Sequence, residues 1–110
     1  MNRRLLTIMI AVLMPLIVMA QATIDKSNGT VTKDGKTFPL YGKVQIVNSF
    51  PDLKVQIVDA FPDLKVQVVN SFPDKIGKVQ VVNSFPDVKV QIVNSFPDIK
   101  VKIVDSFPGF

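Results

Sequence analysis

Apolar and polar residues alternate in short runs through the C-terminal two thirds of the chain. In the segment Leu53-Lys54-Val55-Gln56-Ile57 the apolar residues occupy every second position. Side chains alternate between the two faces of a β-strand, so this pattern predicts a strand with one buried face and one polar face. The segment is rich in β-branched residues, which also favours a strand. The same pattern recurs along the chain and predicts an all-β protein of about six or seven short strands.

The alternating runs belong to an 11-residue unit that occurs six times with the consensus K-V-Q-I-V-N-S-F-P-D-L. The third copy is two residues longer than the others. The copies are Lys43–Leu53, Lys54–Leu64, Lys65–Gly77, Lys78–Val88, Lys89–Ile99 and Lys100–Phe110. Since a single unit cannot bury its own apolar face, the units must pack on one another to form one small domain.

An Asn-Ser-Phe-Pro-Asp bend separates the predicted strands. Proline lacks a backbone donor, so it ends each strand, and it favours extended geometry for the preceding phenylalanine. Because the period of 11 is odd, the bend must reset which face is buried in every unit. The six phenylalanines of the bends are predicted to fill the core; they are Phe50, Phe61, Phe72, Phe85, Phe96 and Phe107.

A solenoid with one unit per coil is too tight, because 11 residues must cross a gap of about 10 Å twice and still form both faces. A β-solenoid with two units per coil, or a more wound path, accommodates the units better. A glycine precedes the lysine that opens a unit at Gly42 and again at Gly77, which divides the array into two groups of three. The longer third unit predicts a point where the chain must reach further than elsewhere.

The repeated Lys-Val-Gln-Ile-Val-Asn-Ser-Phe-Pro-Asp segment, the Gly77-Lys78 junction and the Ser106-Phe107-Pro108-Gly109 ending resemble the 7(1) septoil knot domain family. The resemblance covers residues 38–110. It implies a small all-β domain whose chain is deeply knotted, wound through itself seven times, although true knots are essentially absent from proteins. It implies no activity, cofactor or site residue.

The N-terminal region has the layout of a secretory signal peptide. Arg3 and Arg4 precede an apolar run, Leu5–Met19, that ends in Ala20-Gln21-Ala22. The run contains a proline and is shorter than the about 20 residues of a membrane-spanning helix. We therefore expect cleavage after residue 22, no membrane span afterwards, and export to the periplasm, cell surface or extracellular space.

The segment between the signal peptide and the repeats, residues 23–37, holds two polar, glycine-containing clusters that predict turns. Two interpretations are open for it. It forms either a loose leader, as chain termini often do, or a short strand at Thr30-Val31-Thr32. The repeat domain then occupies residues 38–110.

Composition excludes several classes of function. The chain has no cysteine and no histidine, so it has no disulfide and no histidine-activated serine nucleophile. The formal charge of +4 includes Arg3 and Arg4, and lysine and aspartate are interspersed in the repeats. A nucleic-acid-binding protein requires a concentrated basic surface, so we expect no nucleic-acid partner.

Two rows of acidic and amide residues recur in the bends. One follows the prolines and comprises Asp52, Asp63, Asp74, Asp87 and Asp98; the other ends the strands and comprises Asn48, Asp59, Asn70, Asn83, Asn94 and Asp105. Stacked carboxylates are ligands for calcium. Turn formation explains the same residues without a metal, and calcium repeats interleave glycine with the acids. We therefore expect no metal and no cofactor.

Lysine opens every unit, and this lysine row is Lys43, Lys54, Lys65, Lys78, Lys89 and Lys100. Glutamine follows two residues later in five units, and Lys102 takes that place in the last. A polar ridge of this kind suits an anionic surface polymer such as a glycan, or lipid head groups. The alternative is a solvated strand face that maintains solubility and blocks strand association.

No residue set meets the requirements of an active site. We therefore expect an exported, monomeric, non-catalytic β-repeat protein with a structural or binding role in the cell envelope or outside the cell. One alternative is a subunit of a secreted β-fibre, because Val-Gln-Ile-Val segments favour cross-β stacking. A calcium-binding or hydrolytic protein is a second alternative.

Overall fold

The computed structural model describes residues 22–110, which contain nine β-strands and no helix. All of the predicted signal peptide except its final residue, Ala22, lies outside the described residues. The strands are β1 (Thr23–Asp25), β2 (Thr30–Lys33), β3 (Lys36–Pro39), β4 (Gly42–Ile46), β5 (Leu53–Ile57), β6 (Leu64–Val68), β7 (Lys78–Val81), β8 (Val88–Ile92) and β9 (Ile99–Ile103). The all-β prediction is confirmed.

Strands β1, β2 and β3 form an antiparallel sheet in residues that the sequence leaves as either a leader or a short strand. The interpretation as a loose leader is wrong, since Val31 in β2 is fully buried and joins the hydrophobic core. The strand at Thr30-Val31-Thr32 is confirmed as part of β2. This sheet is called the meander below.

The six repeat strands close into a parallel barrel in the order β4-β7-β6-β9-β5-β8. Strands β4, β5 and β6 occupy alternate positions, and β7, β8 and β9 fill the gaps between them. A solenoid with two units per coil would pair each unit with the second one along the chain, whereas β4 pairs with β7 and β8. The solenoid alternative is therefore wrong.

Strong stagger between the strands explains why the parallel barrel needs only short connections. Ile46 at the end of β4 and Leu53 at the start of β5 both pair with Val90, on opposite edges of β8. The chain therefore moves sideways across one strand instead of returning along its whole length. Parallel strands usually require a crossover of a dozen or more residues; six residues, 47–52, suffice here.

Five segments cross the outside of the barrel and are called straps. Four of them run from one neighbour of a strand to that strand's other neighbour, as β4–β5 does over β8, and the fifth follows β9 and crosses β6. The strap is bonded at both edges, because Val47 N donates to Val90 O at 2.9 Å and Asp52 N donates to Lys89 O at 2.8 Å. The straps are residues 47–52 over β8, 58–63 over β9, 82–87 over β4, 93–98 over β5 and 104–109 over β6.

The connection between β6 and β7 differs, because these two strands are neighbours in the barrel. The prediction that the longer third unit reaches further is wrong, since the chain takes a shorter step around the barrel there. Its extra residues bring Ile76 against the core and against Gly29 of the meander. Gly77 then has its backbone nitrogen bonded to Leu40 O at 2.8 Å. The extra residues of the β6–β7 connection thus join the barrel to the meander.

Aliphatic side chains line the inside of the barrel, and the two ends of the barrel differ. At the end where the strands begin, Leu53, Leu64, Val88 and Ile99 are buried, and Val31 and Leu40 belong to the same core cluster. At the other end, the last residue of every barrel strand is between 43% and 53% exposed. These residues, the strand-end ring, are Ile46, Ile57, Val68, Val81, Ile92 and Ile103. The meander therefore covers one end of the barrel and leaves the other open.

Candidate functional site: an outward phenylalanine array

All six phenylalanines of the repeat bends project into solvent. Their exposed fractions range from 79% for Phe72 to 94% for Phe61. Five of them lie on the straps, and Phe72 lies on the connection between β6 and β7. This phenylalanine array comprises Phe50, Phe61, Phe72, Phe85, Phe96 and Phe107. The prediction that these residues fill the core is wrong.

The limited width of the barrel accounts for the exposure. In every barrel strand the middle inward position is a valine, and these middle valines are Val44, Val55, Val66, Val79, Val90 and Val101. The straps lie outside the strands, so a phenylalanine on a strap is separated from the core by the strand that the strap crosses. The hydrophobicity of phenylalanine predicts that its side chain prefers burial, but it does not predict whether the strand topology places that side chain inside or outside the barrel.

The backbone at each of these phenylalanines is left-handed. The φ angles lie between +52° for Phe85 and +56° for Phe107, which also corrects the extended geometry predicted from the following proline. Left-handed geometry costs a residue with a Cβ roughly 1–2 kcal/mol, and glycine would avoid the cost. Six bulky aromatic residues in strained positions, with little buried area in return, point to a role other than stability.

The lysine row lies on the same outer surface. Its side chains are exposed except that of Lys78, which is half-buried. In β5 the inward residues Leu53 and Val55 are buried while Lys54 between them is exposed, as the alternation predicts. The outer surface of the barrel therefore combines cationic side chains with aromatic rings.

The aspartates after the prolines bond to the backbone of the crossed strand. Asp52 Oδ2 accepts a hydrogen bond from Lys89 N, and Asp63 Oδ2 accepts one from Lys100 N, both at 2.8 Å. Asp87 and Asp98 accept in the same way from Lys43 N and Lys54 N. Each carboxylate thus accepts a hydrogen bond from a strand amide, as a main-chain carbonyl does between paired strands. Within residues 22–110, no three acidic side chains form a group able to hold a metal ion.

The glutamine that follows the lysine binds the strap above it, which sequence reasoning missed. Gln91 Nε2 donates to Asn48 O at 3.1 Å, and Gln45 Nε2 donates to Asn83 O at 3.2 Å. Gln56 and Gln67 make the same bond to Asn94 O and Asp105 O. The Asn and Asp residues that follow the strands thus lie in the straps, and their main-chain carbonyls accept these bonds. The signal was present in the sequence as a second recurring polar position.

One ion pair ties the meander to the barrel: Lys33 Nζ lies 2.6 Å from Asp98 Oδ2. At the first turn of the meander, the hydroxyl of Ser27 and the amides of Asn28 bond to Asp25 and lower the pKa of its carboxyl group. These polar contacts hold the meander in place and do not assemble a reactive group. No helix in residues 22–110 has the length and apolar character of a membrane span.

A family model described as the 7(1) septoil knot domain matches residues 37–110. Comparison with curated proteins gave no match. The matched region holds all six barrel strands, the straps and the phenylalanine array. The chain belongs to the 7(1) septoil knot domain family.

Proposed function

We propose that the protein is an exported, monomeric, non-enzymatic binding domain that attaches to an anionic glycan polymer of the cell envelope through its outer surface. The observation that carries the proposal is the phenylalanine array, whose six members are 79–94% exposed and have left-handed backbone geometry. Exposed aromatic rings supply large apolar contact areas to a partner. The lysine row supplies charge that complements an anionic polymer.

Export is supported by the sequence of residues 1–22, which has the charged, apolar and small-residue regions of a signal peptide. Absence of catalysis is an inference from the chemistry of the outer surface, where the serines of the straps have no histidine partner and the aspartates bond to main-chain amides. The regular spacing of identical groups suits a polymer with repeating units better than a small substrate.

Sedimentation with insoluble anionic and neutral glycans tests the proposal. The variant Phe61→Gly/Phe85→Gly/Phe96→Gly removes three exposed rings, and we expect its binding to the anionic glycan to fall at least tenfold. A matched control replaces the preceding serines, Ser84→Ala/Ser95→Ala, because Ala60 already occupies that position in the second unit. Equal binding by the three-phenylalanine variant and the control would show that the array is not the binding surface.

A salt series separates the contributions of the two residue types. At about 1 M salt the Debye length is about 3 Å, so the contribution of the lysines is screened. We expect Lys54→Gln/Lys89→Gln to weaken binding at low salt and to match the parent protein at high salt. The phenylalanine variants should remain weaker at both salt concentrations, because apolar contacts are not screened.

We also infer that the chain follows the knotted path that gives the family its name. Five straps cross outside strands that belong to other parts of the sequence, and the strands beneath them are themselves continued by straps. This weave is the feature that supports an interlocked path. The fibre alternative draws no support from the barrel, since each barrel strand pairs on both sides and leaves no edge for another chain.

A further inference from the structure

The inside of the barrel contains a cavity that is separate from the outer surface described above. Its volume is about 160 Å³, and its lining contains aliphatic side chains from all six barrel strands. It extends from Leu40 and Tyr41, beyond the strand starts, through the middle valines to the strand-end ring. The cavity is therefore long and narrow and follows the barrel axis.

No polar group reaches this cavity from the core. Within residues 22–110 the buried side chains of the core are all hydrophobic, and no buried side-chain nitrogen or oxygen lacks a partner. Water requires two to four polar partners to occupy such a space. A dry apolar cavity of about 150 Å³ in another protein binds benzene or xenon, so a space of this size and lining accepts an apolar ligand.

The two ends of the barrel determine how a ligand enters. The meander covers the strand-start end through Val31 and Leu40, which are 0% and 6% exposed. The strand-end ring is half-exposed and contributes to the cavity lining. We expect a ligand to enter there, with an apolar portion slender enough to pass between six aliphatic side chains, because all six members of this ring are exposed whereas only Pro39 and Tyr41 are exposed among the lining residues beyond the strand starts. Any polar head must remain outside, because nothing inside can bond to it.

We propose that the barrel binds the free end of a linear alkyl chain, inserted through the strand-end ring from a soluble single-chain amphiphile. The small volume of the cavity and its aliphatic lining suit a slender hydrocarbon. The strand-end ring of a second copy of this chain would cover the opening but would not fill the cavity inside the barrel. In a bilayer the free ends of lipid chains lie at the centre of the membrane, where the opening does not reach them.

Titration of the purified protein with 1-alkanols from butanol to decanol, followed by calorimetry and by NMR of the valine methyl groups, tests the proposal. We expect each added methylene to tighten the dissociation constant about fourfold, which corresponds to about 0.8 kcal/mol. The gain should stop once the chain exceeds the cavity. Cyclohexanol should bind at least tenfold more weakly than 1-hexanol, because a ring is wider than an extended chain.

Two variants locate the ligand. Val66→Phe fills the cavity from a middle position, and Ile92→Phe narrows the opening at a residue that is 43% exposed and therefore tolerates a larger side chain. We expect either variant to weaken 1-octanol binding at least tenfold, while Phe61→Gly, outside the barrel, leaves it unchanged. If Val66→Phe does not fold, Ile92→Phe alone decides the outcome.

Four results would overturn the proposal: absence of binding up to the solubility limit, affinity that rises without a plateau, equal binding by Ile92→Phe, or cosedimentation with phosphatidylcholine vesicles. The last result would assign the alkyl chain to a membrane lipid. Sedimentation equilibrium could give a fifth such result, because a dimer that protects the strand-end ring from solvent would assign the opening to a second copy of the chain.

Discussion

At the scale of single residues, the protein places its largest hydrophobic side chains outside and valines inside. The phenylalanines at the strap turns bury little area, yet each occupies a backbone region that suits glycine. Conversely, glycine itself is found where the chain passes too close to another segment for a Cβ, as at Gly77. Both choices can be tested by substitutions that separate backbone strain from burial.

Replacing Phe61 by glycine should not destabilise the fold. The side chain is 94% exposed and its φ is +55°. Relief of left-handed strain should offset the greater flexibility of glycine, giving a free energy of unfolding that is unchanged or higher by up to about 1 kcal/mol. Urea denaturation measures it. Phe61→Ala keeps the Cβ and should show no gain; a loss above about 1 kcal/mol in either variant would mean that the ring is buried.

Replacing Gly77 by alanine should be strongly destabilising. A Cβ there would lie 2.5 Å from Lys65 O and 2.6 Å from Gly109 N, and φ is +90°. Gly35→Ala is the matched control, since φ is +81° but nothing lies within 4 Å. We expect thermal denaturation to show a loss of about 1 kcal/mol for Gly35→Ala and about 2–3 kcal/mol for Gly77→Ala. Equal losses would indicate that Gly77 has room for a side chain.

At the scale of elements, the strand and the strap together form the structural unit. The strand supplies inward aliphatic residues, and the strap returns the chain sideways while bonding to the outer surface of a strand from elsewhere in the sequence. Two recurring bonds follow from this arrangement, each in four of the six units: the lysine amide donates to an aspartate, and the glutamine side chain donates to a strap carbonyl. Alternation of side chains predicts the strands, because it depends only on neighbouring residues.

The aspartate of a strap should contribute measurable stability through its bond to the crossed strand. Asp63→Ala removes the acceptor of Lys100 N, and we expect a loss of about 1–2 kcal/mol in the free energy of unfolding. Asp63→Asn retains an oxygen acceptor and should lose less. Asp74→Ala is the matched control, because among the described residues Asp74 makes no such side-chain bond to a strand amide. Similar losses for Asp63→Ala and Asp74→Ala would refute a specific role for the strap bond.

The sequence predicts the strands, the bends and the reset of facing within each bend, since all three depend on local pattern. It does not predict the partner of each strand, because six nearly identical strands offer many equivalent pairings. The prediction that the phenylalanines are buried is wrong for the same reason. Strand pairing determines that the bends cross the outside of the barrel, and the sequence does not predict the pairing. The glutamines illustrate the same limit of sequence-based prediction. The sequence shows that a glutamine recurs in each unit but the last, but it does not show that a strap lies above that glutamine.

At the scale of the whole molecule, the barrel is held together by contacts between distant parts of the chain. Of its strand pairs, only β6–β7 joins consecutive strands. Closure of non-local pairs is slow, because the entropy of long loops is lost before the contacts form. Equivalent repeats add incorrect pairings that must be undone. We therefore expect folding to be slow for a domain of this size.

The knotted path inferred above predicts how joining the chain ends affects refolding. The cysteines of a Thr23→Cys/Phe110→Cys variant are joined in the folded protein by a flexible bifunctional reagent. If the folded chain is knotted, the joined chain cannot lose its knot when it is then unfolded. The native chain has no cysteine that would compete for the reagent. After long denaturation, the joined form should refold at least tenfold faster than the same protein with its thiols blocked. Equal refolding rates in stopped-flow experiments would contradict a knotted path.

The repeats close into a barrel with valines inside and phenylalanines outside. NMR relaxation with a soluble gadolinium chelate tests it most directly, because the chelate relaxes protons according to their exposure. We expect strong relaxation of the ring protons of all six array phenylalanines and weak relaxation of the methyl groups of Val55, Val66, Val90 and Val101. Protection of the phenylalanine rings to the same degree as these valines would contradict it.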